Sequence, residues 1–168
     1  MPGSVKFGGP KKRYRYLLER WWVDGPNVRT ICFVMLNPST ADDKEDDPTL
    51  RCCIRIAKRE SFDRLLVVNL FAFRSTDPEK LLSEKDPIGK HNKKHILKAA
   101  AQAKKIVLAW GNNGSIEGQA SVVLGFLSKR FPDNLWCLGV TKLKHPKHPV
   151  RLRKDTPLVQ WPPKQRRK

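Results

Sequence analysis

Acids are scarce in this chain: 16 aspartates and glutamates stand against 34 lysines and arginines in 168 residues, a formal charge of +18. That imbalance argues against basic partners and favours phosphate, acidic lipid or an acidic protein. The basic residues are unevenly spread, which puts nucleic acid first among these. No run of about 18 consecutive apolar residues occurs, which excludes a membrane-spanning helix and a membrane partner of that kind. The opening stretch MPGSVKFGGPKKRYR lacks the apolar centre of a secretory signal and is expected to be a flexible basic arm over residues 1–12. Cys32, Cys52, Cys53 and Cys137 show no C-x-x-C spacing, and Cys32 and Cys137 fall in apolar runs where a free thiol acts as a small hydrophobe. A reduced, intracellular protein of the cytoplasm or of the nucleoid or nucleus is therefore expected. No internal repeat and no long internal linker divides the chain. One α/β domain over residues 13–161 is expected, followed by a basic tail at 162–168.

What is present is an alternation of apolar runs and amphipathic segments. RYRYLLERWW reads as a first strand and VRTICFVML, β-branched and apolar, as a central one. DPTLRCCIRIAKRES starts with Asp47 as N-cap and Pro48 at the first helical position, and Leu50, Cys53, Ile54 and Ala57 then recur at helical spacing. RLLVVNLFAF is an uninterrupted apolar run, the pattern of a strand buried on both faces. KHNKKHILKAAAQA predicts a helix, KIVLAWG a strand, EGQASVVLGFLSKR a helix and NLWCLGV a strand, with an edge strand near the end. Such alternation implies right-handed crossovers. The expected fold is a three-layer αβα sandwich around a central, mostly parallel four-stranded sheet with added edge strands.

In sheets of this kind, ligands bind beyond the carboxyl ends of the strands. Four strand exits therefore name the candidate residues. The first is Asn37-Pro38-Ser39-Thr40, where an amide can hold a water or a base edge; an Asx-turn is its plain structural explanation. The second follows the buried run with Asn69, Phe71 and Arg74, suited in turn to reading a base, stacking on it and meeting a phosphate. The third is Trp110-Gly111-Asn112-Asn113, a glycine-bearing turn. The fourth is TKLKHPKHPVRLRK, where Lys142, Lys144, Lys147, Arg151, Arg153 and Lys154 form a run without an acid. His145 and His148 sit within it. Like charges disfavour the imidazolium there, and phosphate would restore its tendency to take a proton.

Two further groups have plainer explanations. Asp42, Asp43, Glu45, Asp46 and Asp47 lie before a helix start, where acids complement the macrodipole; a divalent-metal site for phosphodiester chemistry is the alternative. His91 and His95 are spaced i, i+4 on a helix, but no quartet has the spacing of zinc ligands.

Taken in order, LNPST, LVVNLFAFR, VLAWG and KHPKHP resemble the motif series of the uracil-DNA glycosylase superfamily. FVMLNPSTAD, DDPTLR, VVNLFAFRSTDP, AWG and HPKHP resemble, over roughly residues 14–161, a family of bacteria and phages catalogued as a domain of unknown function. The superfamily resemblance implies a uracil-DNA-glycosylase-like fold. Asn37 would position the attacking water and Asn69 would read the base. His145 or His148 would stabilise the departing base, and Val150 and Arg151 would lie where a wedge enters the duplex. Pro38, Ser39, Phe71, Arg74, Trp110, Gly111 and Asn112 would complete the substrate site. The chain departs from the pattern at Met35, where glycine is usual, at the extra residue in H-P-K-H-P, and in lacking an activating aspartate at the water position.

The function so implied is hydrolysis of the N-glycosidic bond of a flipped, damaged or modified base in DNA, without metal or cofactor, by a monomer. Two alternatives stand beside it: a non-catalytic nucleic-acid-binding or base-sensing module on the same fold, and a metal-dependent nuclease using the acidic loop.

Overall fold

The computed structural model describes residues 1–39, 41 and 45–163. Its strands are β1 (Gly3–Gly8), β2 (Tyr14–Trp21), β3 (Thr30–Met35), β4 (Arg64–Asn69), β5 (Lys105–Leu108), β6 (Leu135–Cys137) and β7 (Val159–Gln160). Its α-helices are α1 (Pro48–Arg59), α2 (Lys80–Ser83), α3 (Asn92–Gln102) and α4 (Gln119–Arg130). All seven strands join one mixed sheet in the order β1-β2-β4-β3-β5-β6-β7. β4, β3, β5 and β6 run parallel to one another, while β2 on β4, β1 on β2 and β7 on β6 add antiparallel edges.

The apolar run of β3 is buried at every residue because the sheet is covered on both faces. Alternate side chains divide between two cores. Cys32 and Val34, with Leu66 and Val68 of β4 and Ile106 and Leu108 of β5, pack with Ile96 and Ala99 of α3 and Val123 and Leu127 of α4. Ile31, Phe33 and Met35, with Leu65, Val67 and Val107, pack with Leu50, Cys53, Ile54 and Ala57 of α1. Each fully buried aliphatic or Phe side chain contributes about 1.5–3 kcal/mol by leaving water. The start of α1 is as its sequence predicts. Asp47 caps it, its Oδ1 accepting the Leu50 N–H at 2.7 Å, and Pro48 opens the first turn.

The expected flexible arm carries a strand instead. β1 pairs antiparallel along β2, Gly3 opposite Arg20 and Gly8 opposite Tyr14. Glycine at position 3 is required by a close approach: a Cβ there would lie 2.4 Å from Arg20 Nη1 and 2.6 Å from the Glu19 carbonyl oxygen. Arg20 is itself buried at 1% exposure, with its Nε 2.9 Å from Asp46 Oδ1. The acidic segment thus supplies a counterion to a core guanidinium and a helix cap. Thr40, Asp42 and Asp43, and most of the expected tail at 162–168, lie outside the described residues.

All four thiols are free, and Cys32, Cys53 and Cys137 are buried; burial pushes Cys32 up to about 12. Among the described residues, no helix is long and apolar enough to cross a membrane.

Candidate functional site

The carboxyl ends of β3, β4 and β5 open into one cavity of about 390 Å³. Asn37 comes two residues after β3, Asn69 closes β4, and Trp110, Gly111, Asn112 and Asn113 follow β5. The first two exits are tied together. Ser75 N–H donates to the Pro38 carbonyl at 2.9 Å, and Asn37 Nδ2 donates to the carbonyls of Ser75 at 2.8 Å and Pro38 at 3.2 Å. With its NH₂ so engaged, Asn37 has its Oδ1 left as an acceptor. The second exit is held by two helix starts. Asn92 Nδ2 donates to the carbonyls of Asn69 and Leu70, each at 2.9 Å, and Gln119 Nε2 donates to Leu70 at 3.2 Å.

Asn69 is 1% exposed, and among the described residues nothing accepts from its Nδ2. The same holds for Trp110 Nε1. A buried donor without an acceptor costs about 1–3 kcal/mol. Both residues line the cavity.

His148 reaches the cavity by a folded-back loop after β6. Gly111 N–H donates to the Pro146 carbonyl at 2.9 Å, Lys147 N–H to Gly139 at 3.0 Å, and Val140 bridges Pro146. Gly111 has φ 73°, and a Cβ there would meet His148 Cβ at 3.5 Å. His148 Nδ1 accepts the Val150 N–H at 3.3 Å, so the neutral ring carries its proton on Nε2. Burial lowers its pKa from the ordinary 6.5, against a smaller opposing effect of Asp47. The imidazole is thus held neutral near pH 7, as a donor.

Of the residues expected from the sequence, Asn37, Ser39, Asn69, Trp110, Gly111, Asn112 and His148 line this cavity together. Pro38 is buried in the same turn. The other expected residues lie elsewhere. His145 sits outside the cavity in the loop, its N–H donating to Thr141 Oγ1 at 3.2 Å. Phe71 is fully buried in the core of the α3/α4 face and stacks on nothing from outside. Arg74 lines a neighbouring groove, its guanidinium 5.0 Å from the Phe7 ring centroid. Of the basic run, Arg151 borders a basin beside the cavity, shared with Ser39, Asp47 and His148. Lys142, Lys144, Arg153 and Lys154 are exposed, Arg153 paired with Asp155 at 3.0 Å, and Lys147 packs along Gly139. His91 and His95 pack on Tyr16, with the His95 ring stacked at 4.9 Å.

Asn113, of the third exit, lines the cavity as well, and so do Arg15 and Asp47. Arg15 is on β2 and 5% exposed, with its Nη1 donating to the Ala41 carbonyl. A charged residue in the otherwise apolar alternation of RYRYLL was the available signal. Asp47 places a carboxylate on the cavity wall: Oδ1 serves the helix cap, leaving Oδ2. Among the described residues, no three metal-ligating side chains gather.

A family described as "Protein of unknown function (DUF1643)" matches residues 15–150. No curated protein and no solved structure matches.

Proposed function

From the premise that the chain belongs to the DUF1643 family, whose match spans most of its length, we propose that its cavity receives a base flipped out of DNA and hydrolyses the N-glycosidic bond. The observation that carries this reading is the convergence of Asn37, Asn69 and His148 on one cavity lined by a buried, unpartnered amide donor. The mixed α/β sheet between helical layers supports the reading, beside the resemblance of the motifs to the uracil-DNA glycosylase superfamily. The net charge of +18 suits a phosphate-bearing partner.

The steps follow from the donors and acceptors present. Asn69 Nδ2 finds its acceptor on the base edge. His148 Nε2–H faces charge that develops on the base as the C1′–N bond breaks and its electron pair leaves with the base. The same bond-breaking leaves the sugar cationic. A water held by Asn37 Oδ1 bonds to C1′, and its proton passes to the Asp47 carboxylate and on to solvent, while the base anion takes a proton from solvent. Asp47 thereby supplies the carboxylate that the first exit lacks.

The base-sensing alternative has an observation in its favour: Asn37 is an amide and cannot take a proton itself. The test is base release from oligonucleotides containing uracil, mismatches and modified pyrimidines, read as abasic sites by alkaline cleavage with a chelator present. Release lost in Asn37→Ala and His148→Ala, and kept in His145→Ala, supports the reading. Base-selective binding without release by the wild type would replace it with the sensing module, and cleavage abolished by the chelator with the nuclease.

A further inference from the structure

A second groove, which Arg151 does not line, adjoins the cavity. It holds about 330 Å³ and is lined by Lys11, Lys12, Arg13, Phe73, Arg74 and three hydroxyl residues, Ser39, Ser75 and Thr76. Those three hydroxyl residues also line the main cavity, so the two are continuous. Among the described residues, no acid lines the groove. Arg13 is paired with Glu84 at 2.5 Å, while among the described residues no acid pairs with Lys11, Lys12 or Arg74.

The groove is built rather than incidental. The hairpin joining β1 to β2 turns through Pro10–Lys12, with Lys11 at φ 51° and Lys12 at φ 55°. Left-handed backbone costs an L-residue about 1–2 kcal/mol, and glycine or asparagine would suffer less. Two lysines are held there all the same. Lys12 Nζ and Arg74 Cζ lie 4.9 and 5.0 Å from the same Phe7 ring centroid. Arg74 N–H donates to the Arg13 carbonyl at 3.1 Å and its Nη1 to the Lys12 carbonyl at 3.3 Å, fixing the arginine to the hairpin. Among the described residues, Arg74 Nε has no acceptor although it is shielded from water. Cations gathered on one ring repel one another, and an anion between them removes that repulsion.

We propose that this groove, formed by the β1–β2 hairpin and Arg74, binds backbone phosphates of the nucleic-acid strand whose base enters the cavity. The inference rests on the base-pocket reading. Ser39 lines the cavity, this groove and the basin of Arg151 alike. A strand crossing Ser39 would therefore meet cations on both flanks while one nucleotide dips between them. The hydroxyls of Ser39 and Thr76 offer neutral donors to the phosphate oxygens at the crossing, while the Ser75 hydroxyl donates to the Asp77 carbonyl at 2.8 Å.

The test is the salt dependence of single-stranded oligonucleotide binding by the full chain. Single-strand binding loses about 0.7 in the log–log slope for each phosphate contact removed. Lys11→Gln with Lys12→Gln should reduce the slope by roughly 1.4, while Lys98→Gln with Lys129→Gln, exposed on α3 and α4, should leave it unchanged. Equal reductions by both pairs would overturn the groove in favour of diffuse charge. An unchanged slope, with binding to phosphatidylserine-containing vesicles lost in Lys11→Gln/Lys12→Gln, would overturn it in favour of a lipid headgroup. The base pocket is read separately, as the preference among oligonucleotides differing in one base. Absence of any preference in the wild type, beside a slope reduction of the expected size, would dismiss the base pocket and sustain the phosphate site.

Discussion

Asp47 does two things that one pair of substitutions separates. Its Oδ1 caps α1 through the Leu50 N–H at 2.7 Å, and its carboxylate stands on the wall of the cavity close enough to oppose the lowering of the His148 pKa. Asn is as good an N-cap as Asp, and Ala is not: loss of the cap costs about 1 kcal/mol. Asp47→Ala should therefore lower the melting temperature by about 2–4 °C, and Asp47→Asn should leave it nearly unchanged. A positioned general base contributes about 10²–10⁴-fold, so both variants should lose base release by that factor. The pH profile adds a second sign. In the proposed reaction the competent His148 is the neutral form, so release should fall as the solution is acidified through its pKa. Removing the Asp47 charge takes away the effect that holds this pKa up, and burial then lowers it further. The acid limb of Asp47→Asn should thus move to lower pH, though its plateau is reduced. The assays are thermal unfolding and single-turnover abasic-site formation across pH. A stable Asp47→Asn variant with the wild-type rate would refute the reasoning and leave Asp47 as a helix cap alone.

Asn69→Leu removes a buried donor that lacks an acceptor in the free protein, so it should hold or raise the melting temperature, by up to about 2–4 °C for each kcal/mol recovered, while abolishing base discrimination; a destabilised variant that still discriminates would contradict this. Gly114→Ala places a Cβ 2.1 Å from Trp110 Cδ1 and 2.6 Å from its Nε1, so the indole must move; substrate binding should weaken while the fold by circular dichroism persists. Both His95 and His148 titrate below the ordinary 6.5, chiefly through burial. The unfolded chain therefore binds more protons than the native one as pH falls through that value, and stability must drop on acidification; the urea midpoint should be lower at pH 5.5 than at pH 7.5, with part of the difference gone in His95→Asn. If the midpoint rises on acidification, burial does not govern these two rings.

The strand exits were readable because a buried parallel strand announces itself twice, by an apolar run and by the abrupt polar residue that ends it. Asn37 and Asn69 were found this way, and each lines the cavity. The choice between His145 and His148 was not readable, because both precede a proline and the register of an irregular loop leaves no periodicity. It is made by tertiary bonds, from Gly111 to Pro146 and from Lys147 to Gly139, which turn position 148 inward and leave 145 outside. Phe71 shows the opposite limit: an aromatic just past a strand looks available in sequence, but β4 continues its pairing through Phe71 N–H to the Leu36 carbonyl, which keeps the ring in the core.

The acids needed distance information that no local pattern holds. Asp46 meets Arg20, 26 residues earlier in the chain, because β2 runs antiparallel on β4 and brings its guanidinium beneath the segment leading into α1. A buried arginine without such a partner would be severely destabilising, so at least one acid of this segment serves the core. Asp47, its neighbour in sequence, faces the cavity instead. Adjacent residues in an extended segment point to opposite sides, and Asp47 is extended, with φ −73° and ψ 169°. The dense acids of a basic chain thus divide between the core and the site for a geometric reason: one extended step separates a counterion for Arg20 from a carboxylate at the ends of β3 and β4.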